Sequence, residues 1–162
     1  MNPKAFVVAI GTNNLGAGCS AQETIKGLGA VITSLRRRRP LAKLLLLGLL
    51  PRGIKSGPSN TLDPRHNYFT KRLIAVNSAL KEAAAAFGHK DVRYVDGWDL
   101  FDKEDEVNVS RMPDKLHPNA AGMLLWGQRV RGLFPCLHAT LSLPCVGHAR
   151  VPCLLPCSCL GP

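Results

Sequence analysis

Asp114 and His117 are the two residues of this sequence best suited to acid–base chemistry. They lie three positions apart in "MPDKLHPNAAG" (112–122), just before a stretch with helical periodicity. A general base needs its imidazole held in one tautomer, and a carboxylate that accepts a hydrogen bond from one ring nitrogen leaves the other free to take a proton. The pair is therefore a candidate acid and base of a hydrolytic triad. An Asp helix cap followed by a surface histidine is the alternative interpretation.

A second group of polar residues, Thr12-Asn13-Asn14, follows an apolar run at 5–10. If that run is a buried strand of a parallel sheet, its carboxyl end is where functional groups collect. A neutral carboxamide at such a position can donate an N–H to a developing oxyanion. Asn13 is therefore a candidate oxyanion-hole donor. The alternative is a polar turn whose Asn side chains bond their own backbone.

The apolar pattern predicts the elements that would position these side chains. Continuous apolar runs are typical of strands buried on both faces, whereas apolar residues at three- and four-residue steps indicate helices. Ser20 and Glu23 have the spacing of a capping box at the first helix. Alternation of strands and helices predicts an α/β fold with a parallel sheet. The predicted order is strand 5–14, helix 20–40, strand 42–53, helix 69–87, strand 92–96, acidic loop 99–106 and helix 119–131.

Length and composition favour one globular, basic domain. The 162 residues are 46% hydrophobic and 20% charged, and 21 Lys and Arg against 11 Asp and Glu give a formal net charge of +10. Such a balance favours acidic partners or surfaces. No secretory signal is recognisable, and the longest apolar stretch, at 41–50, is about half of what a membrane helix needs. We therefore expect a soluble, cytoplasmic protein without a membrane span.

The segment 133–162 differs in composition from the rest of the chain. It holds five of the six cysteines, a proline every few positions and a single charged residue, Arg150. Such a sequence cannot hold a helix or a central strand for long. Its C-x3-C and C-x-C spacings lack the paired C-x2-C of a structural zinc site, so no metal site is predicted. We predict a domain over 1–132 followed by a disordered, low-complexity tail.

Three motifs in the expected order resemble the SGNH or GDSL family of ester hydrolases. They are "GTNN" after the first strand, "LLPRG" after the second and "DKLHP" before the last helix. The pairing of the first two is most similar to the catalytic α subunits of intracellular platelet-activating-factor acetylhydrolase. The resemblance covers about residues 5–132. It implies a flavodoxin-like three-layer sandwich that hydrolyses short acyl esters of small molecules, in lipid metabolism, without a metal or organic cofactor.

The resemblance also implies roles for individual residues. Asn13 matches the oxyanion-hole position of the Gly-x-Asn-Asp block, in which Asn14 replaces the more common Asp. Asp114 and His117 match the closing Asp-x-x-His block and would orient and act as the base. Thr12 would help to line a small acyl pocket.

The beginning of the family pattern is absent from this sequence. Family members start with a strand that ends in Gly-Asp-Ser, where the serine is the nucleophile, and no serine of this chain lies in that context. We therefore expect an N-terminally truncated domain that is inactive alone. Without a preceding strand, the strand at 5–14 would also have an unpaired apolar edge.

Two alternative functions remain open from the sequence. The chain could be a non-catalytic partner that forms a homo- or heterodimer with a complete subunit and buries the exposed strand edge. It could also be a basic nucleic-acid-binding module, since Arg36–Arg39 could contact phosphates. Cations at a helix C-terminus equally suit a solvated surface, so a nucleic-acid partner is not expected.

Overall fold

The computed structural model describes residues 3–54, 60–88 and 91–132. The predictions for the tail at 133–162, namely its disorder and its lack of a metal site, lie outside the described residues. The elements are β1 (Ala5–Val8), α1 (Thr12–Gly16), α2 (Ala21–Arg38), β2 (Lys43–Leu47), α3 (Tyr68–Phe87), β3 (Val92–Val95), α4 (Trp98–Phe101), β4 (Asp102–Lys103), β5 (Glu106–Val107) and α5 (Ala120–Gly132).

The main sheet has the order β1-β2-β3, and both pairs of neighbours run parallel. Val7 lies opposite Leu45, which in turn lies opposite Arg93. The predicted parallel α/β fold is therefore confirmed. Each strand is shorter than the apolar run that predicted it, because the last residues of each run leave the sheet and form the loops at its carboxyl edge.

The central strand β2 explains why its sequence is a run of leucines. Successive side chains of a strand point to opposite faces of the sheet. Leu44 and Leu46 enter a core with residues of α2 and α3, whereas Leu45 and Leu47 enter a second core with Phe101 and Trp126. Helices therefore cover both faces of β2, which gives the three layers of the predicted sandwich.

The strand β1 lies at the edge of the sheet and is less well covered. Val7 is on the same face as its partner Leu45, yet 55% of it is exposed. Ile10, just beyond the strand, is also exposed. No other strand of the described ranges pairs with the outer edge of β1. The unpaired apolar edge expected from the sequence is therefore present in this part of the chain.

The two long helices begin and end as their sequences predict. Ser20 and Glu23 form a complete capping box at the start of α2. The side chain of Asn67 accepts a hydrogen bond from the N–H of Phe69 at the start of α3, and Gly88 follows the helix with a φ of 79°. None of the helices in the described ranges is both long enough and apolar enough to cross a bilayer.

The segment 99–106, predicted as an acidic loop, is instead ordered secondary structure. Phe101 is completely buried in the second core, and the indole N–H of Trp98 donates to Asp102 at 3.1 Å, which closes the short helix α4. Glu104 and Asp105 both have positive φ and join β4 to β5. A two-residue hairpin loop favours that conformation. The acidic residues therefore mark the turn of a hairpin rather than an irregular loop.

Candidate active site

Asp114 and His117 form a close pair on the loop that precedes α5. Nδ1 of His117 lies 2.6 Å from Oδ2 of Asp114, which is a short, charge-assisted hydrogen-bond distance. The other carboxylate oxygen accepts backbone N–H groups from Leu116 at 3.0 Å and from His117 at 2.7 Å. No helix begins at Asp114, so the alternative of a helix cap is wrong. The carboxylate instead organises the loop that carries the imidazole.

The backbone of this loop follows an unusual path between the two residues. Lys115 has a φ of 62°, in the left-handed region that non-glycine residues seldom adopt, and its N–H donates to the carbonyl of Met112 at 2.9 Å. This left-handed turn of the backbone places the Asp114 carboxylate within hydrogen-bond distance of the N–H groups of Leu116 and His117. The strained conformation is stabilised by these hydrogen bonds, which also hold the histidine ring in place.

The pKa of Asp114 lies well below its usual range. The largest cause is the hydrogen bond from the backbone N–H of His117, followed by the bond from the His117 ring and the N–H of Leu116. The carboxylate is therefore charged over the whole physiological pH range. A fixed negative charge beside Nδ1 stabilises the imidazolium that forms when Nε2 takes a proton.

The ring of His117 is exposed and can exchange protons with a group that reaches it from solvent. Its side chain is 74% exposed, and within the described ranges its ring contacts no polar partner except Asp114. A proton on Nδ1, bonded to Asp114, leaves the lone pair of Nε2 available. The arrangement can therefore act as a general base toward a hydroxyl group or water that reaches Nε2.

The loop is attached to the carboxyl end of β2 through Gly53. The N–H of Gly53 donates to the carbonyl of Lys115 at 2.9 Å. A Cβ at position 53 would lie only 2.7 Å from the Cβ of Lys115, so the two backbones can approach only because residue 53 is a glycine. The "LLPRG" motif and the "DKLHP" motif are therefore in direct contact.

Asn13 and Thr12 lie on α1, the short helix that follows β1. Gly11 precedes the helix with a φ of 125°, a conformation in which a side chain would be strained. Asn13 is exposed, and its carboxamide makes no hydrogen bond to the described residues. The polar turn considered as an alternative is wrong, because these residues form a helical turn. The carboxamide is free to donate to a ligand, as an oxyanion donor must.

Arg52 connects the loop that follows β2 to the start of α1, which follows β1. It was not predicted from the sequence. Its Nη1 donates to the carbonyl of Thr12 at 3.0 Å, and its guanidinium lies 4.2 Å from the ring centroid of Phe69. The carbonyl of Arg52 accepts from the buried side chain of Asn67 at 2.8 Å. Its position in the loop that follows β2, at the edge where functional loops collect, was the signal available in the sequence.

Asn77 of α3 was also not predicted, and it holds the chain where β2 ends. Its Oδ1 accepts from the N–H of Leu49 at 2.7 Å, and its Nδ2 donates to the carbonyl of the same residue at 2.9 Å. A side-chain amide thereby satisfies both backbone groups of Leu49 beyond the last residue of the strand. The path toward Arg52 and Gly53 is therefore defined by α3.

None of the serines in the described ranges forms a hydrogen bond with His117. The hydroxyls of Ser20, Ser78 and Ser110 donate to Glu23, Glu82 and Asn108, respectively. Ser34 lies on α2 and has no hydrogen bond to His117 within the described residues. Ser56, Ser59, Ser142 and Ser158 lie outside those residues. In the described residues, the candidate site therefore holds the bonded Asp114–His117 pair, and Asn13 remains a separate candidate on α1.

A metal ligand set was not predicted, and residues 3–54, 60–88 and 91–132 contain no group of three or more His, Cys, Asp or Glu placed to hold a metal ion. The absence of a metal or cofactor in the function stays a prediction.

Comparison with known proteins establishes the family. The profile of the GDSL-like lipase/acylhydrolase family matches residues 1–125, which is more than half of the sequence. The chain belongs to this family. The resemblance inferred from "GTNN", "LLPRG" and "DKLHP" is therefore confirmed.

Two similar proteins are named as alpha2 subunits of platelet-activating factor acetylhydrolase IB. The chain is 35% identical over 104 residues to the platelet-activating factor acetylhydrolase IB subunit alpha2 of Gallus gallus, a match that covers 62% of this chain and 44% of the chicken protein. It is 34% identical over 93 residues to the Homo sapiens alpha2 subunit, covering 56% of this chain and 40% of the human protein. The chain thus spans less than half the length of these relatives.

Two solved structures share the fold. One, from Streptococcus pneumonia, is described as a candidate platelet activating factor; it has a TM-score of 0.66 and 23% identity and covers 80% of this chain and 58% of its own. The other, a candidate acylhydrolase from Bacteroides fragilis, has a TM-score of 0.59 and 16% identity and covers 81% of this chain and 63% of its own. At these identities the likeness concerns the fold, which agrees with the α/β sandwich observed.

Proposed function

We propose that this domain carries the acid–base side of a serine ester-hydrolase site, and that it hydrolyses short acyl esters only when a hydroxyl nucleophile is supplied from outside the 162 residues. The observation that carries the proposal is the Asp114–His117 pair, in which Nδ1 is bonded at 2.6 Å and Nε2 is free. Membership of the acylhydrolase family supports the reaction class. Acetylhydrolase relatives favour a short acyl group.

Each residue has a defined part in the proposed reaction. His117 removes the proton from the attacking hydroxyl through Nε2 and later returns it to the leaving alcohol, while Asp114 stabilises the imidazolium. Asn13 donates an N–H to the oxyanion of the tetrahedral intermediate. Thr12 lines the acyl pocket. Arg52 positions α1 relative to the loop after β2, because it bonds the carbonyl of Thr12.

We also propose that the domain over residues 1–132 is inactive by itself, and that the complete enzyme acts in lipid metabolism in the cytoplasm without a cofactor. A fluorophosphonate probe tests the first part, since it labels activated serines. We expect no labelling of the 162-residue chain. Stoichiometric labelling that disappears in His117→Ala would show that the chain contains its own nucleophile and would contradict this part.

Complementation tests the second part. The chain is co-expressed with a family segment that carries a strand ending in Gly-Asp-Ser, and the pair is purified as one species. We expect fluorophosphonate labelling and hydrolysis of p-nitrophenyl acetate, both absent when the serine of the added segment is replaced by alanine. A stable, correctly assembled pair that neither labels nor hydrolyses the ester would exclude the proposed roles of Asp114 and His117.

A second candidate function is a non-catalytic partner of a complete hydrolase subunit. The exposed Val7 and Ile10 at the edge of β1 favour it, because an apolar edge of this kind is stabilised when another chain covers it. Size-exclusion chromatography with and without a complete family subunit distinguishes this function. A soluble monomer that does not associate with such a subunit would count against it.

A further inference from the structure

The turn between α2 and β2 exposes a large apolar side chain among cations. Leu41 is 93% exposed, more than any other large hydrophobic residue of the described ranges. It follows Arg36–Arg39 and Pro40, and Lys43 comes two residues later. A leucine that is almost fully in water is unfavourable by itself, so its position calls for an explanation in terms of what contacts this turn.

The turn is built rigidly enough to hold Leu41 outward. The N–H of Ala42 donates to the carbonyl of Arg39 at 3.1 Å, and Nη1 of Arg36 donates to the carbonyl of Ala42 at 3.0 Å. Ala42 itself is buried. Because both neighbours of the Pro40–Leu41 pair are fixed by hydrogen bonds, Leu41 lies at the tip of a closed turn and cannot fold back into the core.

The surface around this tip is strongly basic. Arg37, Arg38 and Arg39 are exposed, and the N–H of Lys43 donates to the carbonyl of Lys4 at 2.9 Å, which brings the start of β1 to the same end of the molecule. Asp91 also lies at this end, where its carboxylate is paired with Lys43 at 2.9 Å. The arginines therefore present their charge without a neighbouring carboxylate in the turn.

An apolar tip within a cationic rim fits an anionic lipid surface better than a nucleic acid. Arginine side chains alone would bind phosphates of either kind. A leucine at the tip gains nothing from a sugar–phosphate backbone, whereas at a lipid surface it leaves water for the boundary between headgroups and acyl chains. Basic side chains near such a surface each increase binding by roughly fivefold. Leu41 is thus the residue that distinguishes the two ligands.

We propose that the basic turn, defined as residues 36–43, docks this protein on membranes that contain anionic lipids, with Leu41 inserted between headgroups. The turn lies at the amino ends of the parallel strands, whereas His117 lies on a loop attached to the carboxyl end of β2. Docking therefore leaves the Asp114–His117 pair directed away from the surface. The interaction is peripheral and does not depend on the function proposed above.

Co-sedimentation of the 162-residue chain with vesicles tests the proposal. We expect binding to phosphatidylcholine vesicles that contain phosphatidylserine, weak binding to phosphatidylcholine alone, and loss of binding in about 1 M salt, where charges are screened within about 3 Å. Replacing Arg37, Arg38 and Arg39 by Gln should weaken binding by about a hundredfold. Leu41→Ser should weaken it by about tenfold or more. Arg36 is left in place because it holds the turn.

Two matched variants serve as controls, with circular dichroism to show that every variant is folded. Leu124→Ser removes another exposed leucine, from α5, and the triple change of Lys26, Lys71 and Lys81 to Gln removes three positive charges from other parts of the surface. Both should bind like the unmodified chain. Equal weakening by the lysine control, or no effect of Leu41→Ser together with displacement by duplex DNA, would overturn the proposal in favour of non-specific or nucleic-acid binding.

Discussion

The segments 63–66 ("DPRH") and 114–117 ("DKLH") have the same Asp-x-x-His spacing, and each precedes a helix. In the first, Arg65 binds the carboxylate through Nε and Nη2, at 3.0 and 2.7 Å from Oδ2 of Asp63, and Nδ1 of His66 lies 3.4 Å from the same oxygen. In the second, the imidazole is 2.6 Å from its carboxylate. The same spacing thus produces an arginine pair in one place and an oriented imidazole in the other.

The backbone explains the difference. In the first segment the N–H of His66 donates to the main-chain carbonyl of Asp63 at 2.9 Å, an ordinary turn, and the carboxylate remains available to Arg65. In the second, the left-handed conformation of Lys115 directs the N–H of His117 to the carboxylate itself. A motif defined by spacing alone therefore does not identify a base, because the path of the chain between the two residues decides which group the carboxylate binds.

The largest expected effect of this difference is on catalysis. In the complemented hydrolase described above, we expect His117→Ala to lower kcat/KM for p-nitrophenyl acetate by about a hundredfold to ten-thousandfold, the usual contribution of a positioned base. His66→Ala is the matched control and should leave kcat/KM unchanged. A similar loss in both variants would mean that the two segments are not different in function.

The next effect concerns the asparagines that follow the two segments. Asn67 is completely buried and bonds the carbonyls of Arg52 and Thr61 and the N–H of Phe69. We expect Asn67→Ala to lower the free energy of unfolding by about 3 kcal/mol, because buried polar groups lose their partners. Asn119 is half-buried and caps α5. We expect Asn119→Ala to lower the free energy of unfolding by about 1 kcal/mol. Urea unfolding measures both, and equal losses would contradict the assignment.

A smaller effect should come from Gly53, whose N–H donates to Lys115 in the segment 114–117. Gly53→Ala places a methyl group against Lys115, so we expect a loss of about 2 kcal/mol in unfolding free energy. NMR shifts should change around His117 and remain the same around His66. Gly27→Ala, inside α2 with open space around it, should instead stabilise the protein by up to about 1 kcal/mol. A stabilising Gly53→Ala would show that the close approach is not required.

The smallest effect is on the carboxylates, whose titration can be followed by NMR. Both Asp63 and Asp114 have a pKa well below the usual range, but the largest cause is the Arg65 side chain for one and the His117 backbone N–H for the other. Arg65→Ala should therefore raise the pKa of Asp63 toward its usual value, because the largest cause of its lowering is removed. His117→Ala should leave the pKa of Asp114 lowered, because the backbone N–H remains.

These pKa directions also set the sign of the acid response. A carboxylate whose folded pKa is lowered stabilises the fold above its unfolded pKa of about 3.9, and that contribution is lost as the pH falls through the lowered folded value. Unfolding by acid should thus become easier below about pH 4. Arg65→Ala should reduce this dependence more than His117→Ala does. The opposite order in acid titrations would contradict the assigned causes.

Much of the fold could be predicted from the sequence because its signals are local. The Ser20–Glu23 capping box, the positive-φ Gly88 after α3 and the leucine run of β2 each correspond to one element whose geometry demands those residue types. The hairpin at 102–107 was missed because its apolar anchor, Phe101, is a single residue in an acidic context. A pattern of charges does not reveal which neighbouring residue is buried.

The candidate site was predicted in part. Asn13, Asp114 and His117 were proposed because they match motifs of the family, since each residue type alone also suits a turn or a helix cap. Arg52, Gly53 and Asn77 were not identified, because their roles depend on contacts with residues far along the chain, such as Thr12 and Lys115. Sequence patterns of short period contain no information on which loops meet.

The amino-acid sequence by itself determined the α/β class, the parallel sheet and the family, since these follow from local periodicity and from short motifs. The tertiary structure alone decided which of two identical Asp-x-x-His spacings orients an imidazole, that the outer face of β1 is uncovered, and that Leu41 projects from a basic turn. Each of these depends on the backbone path and on contacts between distant segments, which are properties of the folded chain.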